Sequence, residues 1–292
     1  MTVKMNVKTI FWQAITPIHT GVGQTSASVI DLPVARETAT NYPVIPASSI
    51  KGVLRDGNGL NLKDESPKAV HARGVYGFAG REIEVNGKKE KISQASDLSF
   101  TDARVLCLPV RSYKGTYALL TCPLVLQRFA RDMKAFGLTP DSSSVPEPKD
   151  DDALVTSETL VFNEKLILED IDLTSKNSDE AKSIGSSIAQ KLFEDEIERK
   201  IFLERFVIVH NDVFTFFSET AMEVNARIAL ETDTKTVKDG GLWYEEAIPA
   251  ETIFSSFATS TKDNFSELEN RKTIQIGGKV SVGRGLLRMV VR

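Results

Sequence analysis

Between residues 6 and 16 apolar and polar positions alternate, which is the period of a half-buried strand. The pattern returns at 103–110 and 115–121, on either side of a turn at Lys114-Gly115, at 252–260, and in the closing L-L-R-M-V-V. Residues 206–210 form another short apolar run, with Asn211 placed to cap a helix through V-F-T-F-F. Residues 222–231 and 241–249 flank the polar turn T-D-T-K-T-V-K-D-G and predict a β-hairpin arm.

Other segments follow the helical period. Residues 178–204 place Ile184, Ile188, Leu192 and Phe193, then Ile197, Ile201 and Phe202, on helical spacing. Pro123 opens a helix to about Phe136, a first-turn position that suits proline. Shorter helices are predicted at 64–80, at 263–271, and from a cap at Ser48 or Ser49 to about Arg55. The basic run 88–91 follows Asn86-Gly87 and reads as an exposed hairpin or loop. Residues 139–152, T-P-D-S-S-S-V-P-E-P-K-D-D-D, have a disordered-loop composition. No internal repeat is evident. Strands at both ends, with a helix soon after the first, predict an α+β sheet whose terminal strands are neighbours.

Composition narrows the class. At 292 residues and 41% hydrophobic content the chain can bury a substantial core. It holds no apolar run of membrane-spanning length and no signal-peptide pattern. Its two cysteines, Cys107 and Cys122, are too few for a disulfide framework or a zinc cluster, so the expected compartment is the reducing cytoplasm. The net charge of −4 is unevenly spread: residues 141–200 hold 16 acids and 7 bases, a local −9, which leaves +5 on the remainder. An acidic insertion thus masks a mildly basic body on which phosphate binding is permissible.

Two glycine segments carry the candidate chemistry. The first is H-T-G-V-G at 19–23, followed by Asp31 and by P-A-S-S-I-K-G-V-L-R at 46–55. The second is I-G-G-K-V-S-V-G-R-G at 276–285. Glycines let a backbone approach a ligand closely, and a Ser-Ser helix start followed by Lys51 and Arg55 offers N–H groups and positive charge to phosphates. No dinucleotide fingerprint is present, because no helix starts after Gly21 and Gly23; the phosphate loop of NTPases is absent too. Taken singly, each glycine cluster reads as a tight turn and Lys51 as a solvated helix lysine. Glu245 and Glu246, beside Trp243-Tyr244, read first as a solvated strand face.

Together these segments resemble the RAMP superfamily of CRISPR-associated proteins. With Y-P-V-I-P-A-S-S-I-K-G-V-L-R-D and D-A-R-V-L-C-L-P-V-R-S-Y-K-G-T-Y-A-L-L-T-C-P, the chain is most similar to the backbone-subunit family of the type III-B (Cmr) effector complex. The resemblance implies a single α+β domain over 1–292: a modified RRM, or ferredoxin-like, palm with inserted elements. It implies an acidic insertion at about 139–204, partly disordered and partly helical, and a β-hairpin thumb at about 222–250. It implies copies of the chain stacked along a CRISPR RNA with other complex subunits, and no membrane partner. It also implies cleavage of paired target RNA at regular intervals with a divalent metal, Mg²⁺ or Mn²⁺. Asp31 occupies the place of the family's catalytic aspartate and is the expected metal ligand. Glu245 and His19 are secondary catalytic candidates. Ser49, Lys51, Arg55, Gly277, Gly278 and Arg284 are the expected RNA contacts, with Arg104 and Arg111 behind them. Two alternatives stay open: a non-catalytic RNA-binding backbone subunit, and a metal-independent nuclease that processes CRISPR RNA, with His19 as its acid–base.

RNA carries its own nucleophile, the 2′-OH, so the protein mainly has to align that oxygen with the adjacent phosphorus. An ordinary aspartate, with a pKa of about 3.9, is too acidic for an efficient general base near neutrality, which favours a metal- or water-positioning role.

Overall fold

A computed structural model describes residues 5–23, 29–56, 66–85, 88–140 and 144–292. The strands in chain order are β1 (Asn6–Ala14), β2 (Val44–Ile45), β3 (Phe78–Val85), β4 (Lys88–Gln94), β5 (Ser99–Phe100), β6 (Ala103–Arg111), β7 (Tyr117–Thr121), β8 (Asp152–Val155), β9 (Val161–Phe162), β10 (Lys165–Leu168), β11 (Ile171–Asn177), β12 (Phe206–Val209), β13 (Glu223–Leu230), β14 (Val237–Ala247), β15 (Ile253–Ser260), β16 (Thr273–Gln275) and β17 (Leu286–Val291). The helices are α1 (Ala47–Asp56), α2 (Pro67–Tyr76), α3 (Pro123–Ala135), α4 (Asp179–Leu192), α5 (Glu196–Leu203), α6 (Asn211–Thr220) and the single turn α7 (Ser266–Glu269).

Thirteen strands form one mixed sheet, ordered β16-β17-β1-β15-β6-β7-β12-β8-β11-β10-β9, with β2 on β6 and β5 on β15. The terminal strands are neighbours, as the sequence predicts: β1 runs antiparallel to β17, Ile10 opposite Val291 and Ala14 opposite Leu287. On its other side β1 pairs with β15, where the Trp12 indole donates to Ser256 Oγ at 2.8 Å. Ile10, Phe11 and Trp12 are fully buried, which gives this strand the apolar surface that anchors its part of the sheet. The short strand β12 is buried along its whole length, as a central strand covered on both faces must be.

Two capping expectations change. Helix α1 starts at Ala47, so Ser48 and Ser49 lie inside its first turn, and the Ala47 N–H is taken by the Asp102 carboxylate at 2.8 Å. His210, not Asn211, caps α6; the Asn211 side chain instead accepts the Leu124 N–H in the first turn of α3. Each carboxylate or amide oxygen satisfies a helix-end N–H that would otherwise lack a partner.

The acidic segment departs furthest from expectation. Between the loop expected at 139–152 and the helix expected at 178–204, residues 152–177 carry four strands, β8 to β11, which extend the main sheet beyond β12. The expected helix over 178–204 is two, α4 and α5, each capped by its own Ser178 or Asp195. Helix α4 lies close on β12: a Cβ at Gly185 would sit 2.9 Å from the Phe206 ring. The Asn86-Gly87 turn lies outside the described residues, but its flanks β3 and β4 pair as a hairpin.

Strands β13 and β14 form a separate two-stranded antiparallel hairpin, with a register shift between Ile228 and Leu230. The predicted arm is therefore present.

Candidate functional site

The two glycine segments meet at His19. Its carbonyl accepts the Gly278 N–H at 2.8 Å, and the Pro17 carbonyl accepts the Gly285 N–H at the same distance. The imidazole, 8% exposed, bonds through Nδ1 to the Glu246 carbonyl at 2.7 Å. Gly21 lies under the ring: a Cβ there would come within 2.8 Å of Nε2. Gly277 holds φ +95°, and a Cβ would stand 2.5 Å from the His19 carbonyl oxygen. These glycines make room for His19, whereas the sequence reading has them make room for a ligand. Distant parts of the chain, residues 17–21 and 277–285, close on one another here.

Asp31 stands at the root of the hairpin. Its Oδ2 accepts the Tyr244 N–H at 2.8 Å. The next residue extends the pairing: the Leu32 N–H donates to the Tyr244 carbonyl at 3.1 Å, and the Glu246 N–H to the Leu32 carbonyl at 3.0 Å. Segment 31–34 therefore adds a short parallel bridge to β14.

Glu245 and Glu246 are not a solvated face; they are 6% and 3% exposed. Glu246 accepts Arg36 Nη2 at 2.6 Å and the Val34 N–H at 2.9 Å, and Arg36 continues to the Ser218 and Asn41 carbonyls. The Glu245 carboxylate accepts from three donors: Lys279 Nζ at 2.7 Å, Trp243 Nε1 at 2.7 Å and Arg227 Nε at 3.2 Å. Burial, the largest single influence, pushes its pKa up, but the hydrogen bonds from Lys279 and Trp243 and the nearby cations outweigh it. The net result is a carboxylate held down at about 2, charged at every ordinary pH. Two acids in one strand thus bind opposite neighbours, Glu246 the 31–36 segment and Glu245 the second glycine segment.

The expected RNA contacts divide into two groups. Ser49, Lys51 and Arg55 lie on α1, which contacts β16, the strand that leads into the second glycine segment. Lys51 is partly buried, and desolvation first and the Arg55 charge second lower its pKa. Arg55 lies 3.3 Å from Asp56. Arg284 is different: it is mostly buried and donates to Glu223 Oε2 at 2.8 Å, at the start of β13. The Gly278 N–H is already committed to His19. Of the weaker pair, Arg104 is bound by Glu37 and Asp132, while Arg111 is exposed at the end of β6.

Sequence reasoning missed Lys279, Arg227, Glu223, Glu246 and Arg36 as parts of this site. Lys279 lies within a quoted motif, but no spacing rule links it to an acid 34 residues away. Among the described residues, no group of three or more His, Cys, Asp or Glu could hold a metal ion.

Comparison with known proteins gives this geometry a family. The sequence profile of the RAMP superfamily matches residues 13–288. The chain is 37% identical over 290 residues to the CRISPR system Cmr endoribonuclease Cmr4 of Pyrococcus furiosus, covering 95% of this chain and 93% of that one. It is 26% identical to the CRISPR system CMR subunit Cmr4 of Saccharolobus solfataricus, covering 99% and 97%. The fold matches the crystal structure of oligomeric Cmr4 from Pyrococcus furiosus with a TM-score of 0.75 at 30% identity over 99% of both chains. It also matches a chain of the type III-B Cmr-beta complex bound to cognate target RNA, with a TM-score of 0.73 at 21% identity over 98% and 97%. The chain belongs to the RAMP superfamily and, within it, to the Cmr4 family.

Proposed function

We propose that this chain is the RNA-guided endoribonuclease backbone subunit of a type III-B CRISPR effector complex, and that Asp31 acts at each cut site. The observation that carries the reading is the placement of Asp31: its carboxylate is tied to the hairpin root, one residue from the glutamate that joins the hairpin to the second glycine segment, in a chain closely related to a Cmr endoribonuclease. In this reading copies of the chain stack along a CRISPR RNA, and each hairpin serves as a thumb that enters the guide–target duplex. The sheet around β1 serves as the RRM-like palm. Ser49, Lys51 and Arg55 hold the guide backbone; such contacts are indifferent to sequence and weaken with salt. Arg284 and the backbone of Gly277 and Gly278 shape the loop from within.

The chemistry follows from RNA itself. The 2′-OH of the nucleotide at the thumb attacks the adjacent phosphorus, the bond to the 5′-oxygen breaks, and a cyclic phosphate and a 5′-hydroxyl result. Displacing a nucleotide costs a few kcal/mol of stacking and frees the backbone to reach the in-line geometry. Asp31 orients the attacking hydroxyl or a water beside it. A lone carboxylate fits Mg²⁺ or Mn²⁺ only at a site shared with RNA, since Mg²⁺ is commonly held by one or two carboxylates plus substrate phosphates. When bound, such a cation supplies neutralisation of the charge that develops on the phosphate. Glu245, with three donors on its carboxylate, and His19, enclosed by glycines, act in this reading as positioning groups.

The test is Asp31→Asn in the reconstituted complex with labelled target RNA and Mg²⁺. The expected outcome is loss of the regularly spaced cleavage products by a factor of at least ~10³, with guide and target binding intact. Undiminished cutting in that variant overturns the assignment. Absence of any metal-dependent product from the unaltered complex favours the purely structural alternative.

A further inference from the structure

The second glycine segment has one left-handed position that is not glycine. Lys279 has φ 64° and ψ 29°. That conformation is strained for a residue with a Cβ, and glycine, already used at Gly277, Gly283 and Gly285, would adopt it without that strain. At this position the chain keeps a side chain, and that side chain has a destination. Its ammonium reaches Glu245 at 2.7 Å, and its backbone is fixed by bonds from the Val282 and Arg284 N–H groups to its carbonyl.

The three donors to Glu245 are not equivalent. Trp243 and Arg227 belong to the same hairpin as Glu245, so their bonds hold the carboxylate but join nothing new. Lys279 comes from outside the hairpin. Five residues on, Arg284 makes a matching bond to Glu223 on the other strand of the hairpin root. The glycine segment thus grips both strands, β14 through Lys279 and β13 through Arg284. Residues 244–246 of the gripped strand hold Asp31 and Leu32 through backbone bonds.

We infer that Lys279 is a positioning residue for RNA cleavage: its bond to Glu245 fixes the hairpin root, and through the Tyr244 N–H it fixes the Asp31 carboxylate. The inference rests on the reading of Asp31 given above. Loss of the ammonium leaves Glu245 with Arg227 and Trp243, so the hairpin stays folded and Arg284 still holds β13. What is lost is the register of β14 against the glycine loop. A shift of an ångström at a reacting group costs up to ~10²-fold in rate without touching affinity.

The experiment compares Lys279→Ala, Lys279→Gly, Lys279→Arg and Asp31→Asn in the assembled complex under single-turnover conditions with end-labelled target. Lys279→Ala is expected to cut ~10- to 100-fold more slowly, with target affinity within about twofold of the unaltered complex and cuts spread onto neighbouring phosphates. Lys279→Arg is expected to recover most of the rate. Lys279→Gly separates side chain from backbone: it relieves the left-handed strain and is expected to melt at a higher temperature than Lys279→Ala, yet to cut as slowly. Adding Glu245→Gln to Lys279→Ala is expected to slow cutting by less than the two single effects combined, the mark of one coupled pair. If Lys279→Gly or Lys279→Ala cuts at the unaltered rate and at the unaltered phosphates while Asp31→Asn is inactive, the positioning role is wrong and the Asp31 reading stands. If Asp31→Asn itself cuts normally, that reading is wrong and the inference falls with it.

Discussion

At the hairpin root, Glu245 and Glu246 are buried and each carboxylate is bonded to groups from several elements. On the same hairpin, Val224, opposite Glu246 at the root, and then Ala226, Ile228 and Leu230 along the arm turn their side chains to solvent, every second residue of β13, and Leu242 on β14 does likewise. Acids inside and apolar groups outside reverse the usual order. Directional, charge-assisted bonds are concentrated where the Asp31 carboxylate is held by the Tyr244 N–H. The outer arm instead carries an exposed, non-directional apolar face, with Ile228, Leu230 and Leu242 open to solvent. The hairpin is therefore densely bonded at its root and apolar-faced along its outer arm.

The sharpest way to break this contrast is to disturb the root. Gly277→Ala puts a Cβ into the His19 carbonyl at a left-handed position, and is expected to lower stability by roughly 2–4 kcal/mol in thermal unfolding. A loss of under ~0.5 kcal/mol would mean that the glycine segment yields easily and does not define the root.

A second disturbance uses pH. The folded-state pKa of Glu245, about 2, lies below its ordinary value of 4.5. The unfolded chain therefore takes up this proton first, and the stability owed to the cluster is complete above about pH 4.5 and drains away as pH falls toward about 2. The melting-temperature gap between the unaltered chain and Glu245→Gln should be constant near neutrality and should narrow below about pH 4.5. A gap that stays constant through that range would show that the cluster does not depend on the Glu245 charge. The smallest effect belongs to the outer arm: Ile228→Ser should change stability by less than ~0.5 kcal/mol, because the side chain is 53% exposed. A loss comparable to that of Gly277→Ala would place Ile228 in a packed interior and erase the contrast.

Much of the fold was legible because local periodicity and global packing agree in it. β1, β6, β7, β12, β15 and β17 alternate or run apolar, and Pro123 opens α3 where a proline fits. The hairpin was legible from a polar turn between two strand-like runs. The strands β8 to β11 were not. They are two to seven residues long, sit in an acidic stretch, and owe their conformation to pairing across the sheet, β8 on β12 and then β11, β10 and β9 outward from β8. The motif residues His19 and Asp31 were legible by resemblance, but what each touches was not. That His19 fills the space left by glycines, and that Lys279 reaches Glu245, depend on chain crossings with no local signature. The cap on α1 shows the same limit: Ser48 and Ser49 have the right chemistry, yet Asp102, 55 residues away from Ala47, takes the bond.

The central claim is that the gripped hairpin root delivers the Asp31 carboxylate to the scissile phosphate. The most direct measurement is a structure of the assembled complex with guide and an uncleavable target, read for the distance between that carboxylate and the nearest target phosphate. The account predicts a separation spanned by a single cation or water, ~4–5 Å, with Lys279 still on Glu245. A carboxylate turned away from the target strand, or standing many ångströms from every target phosphate, would contradict it.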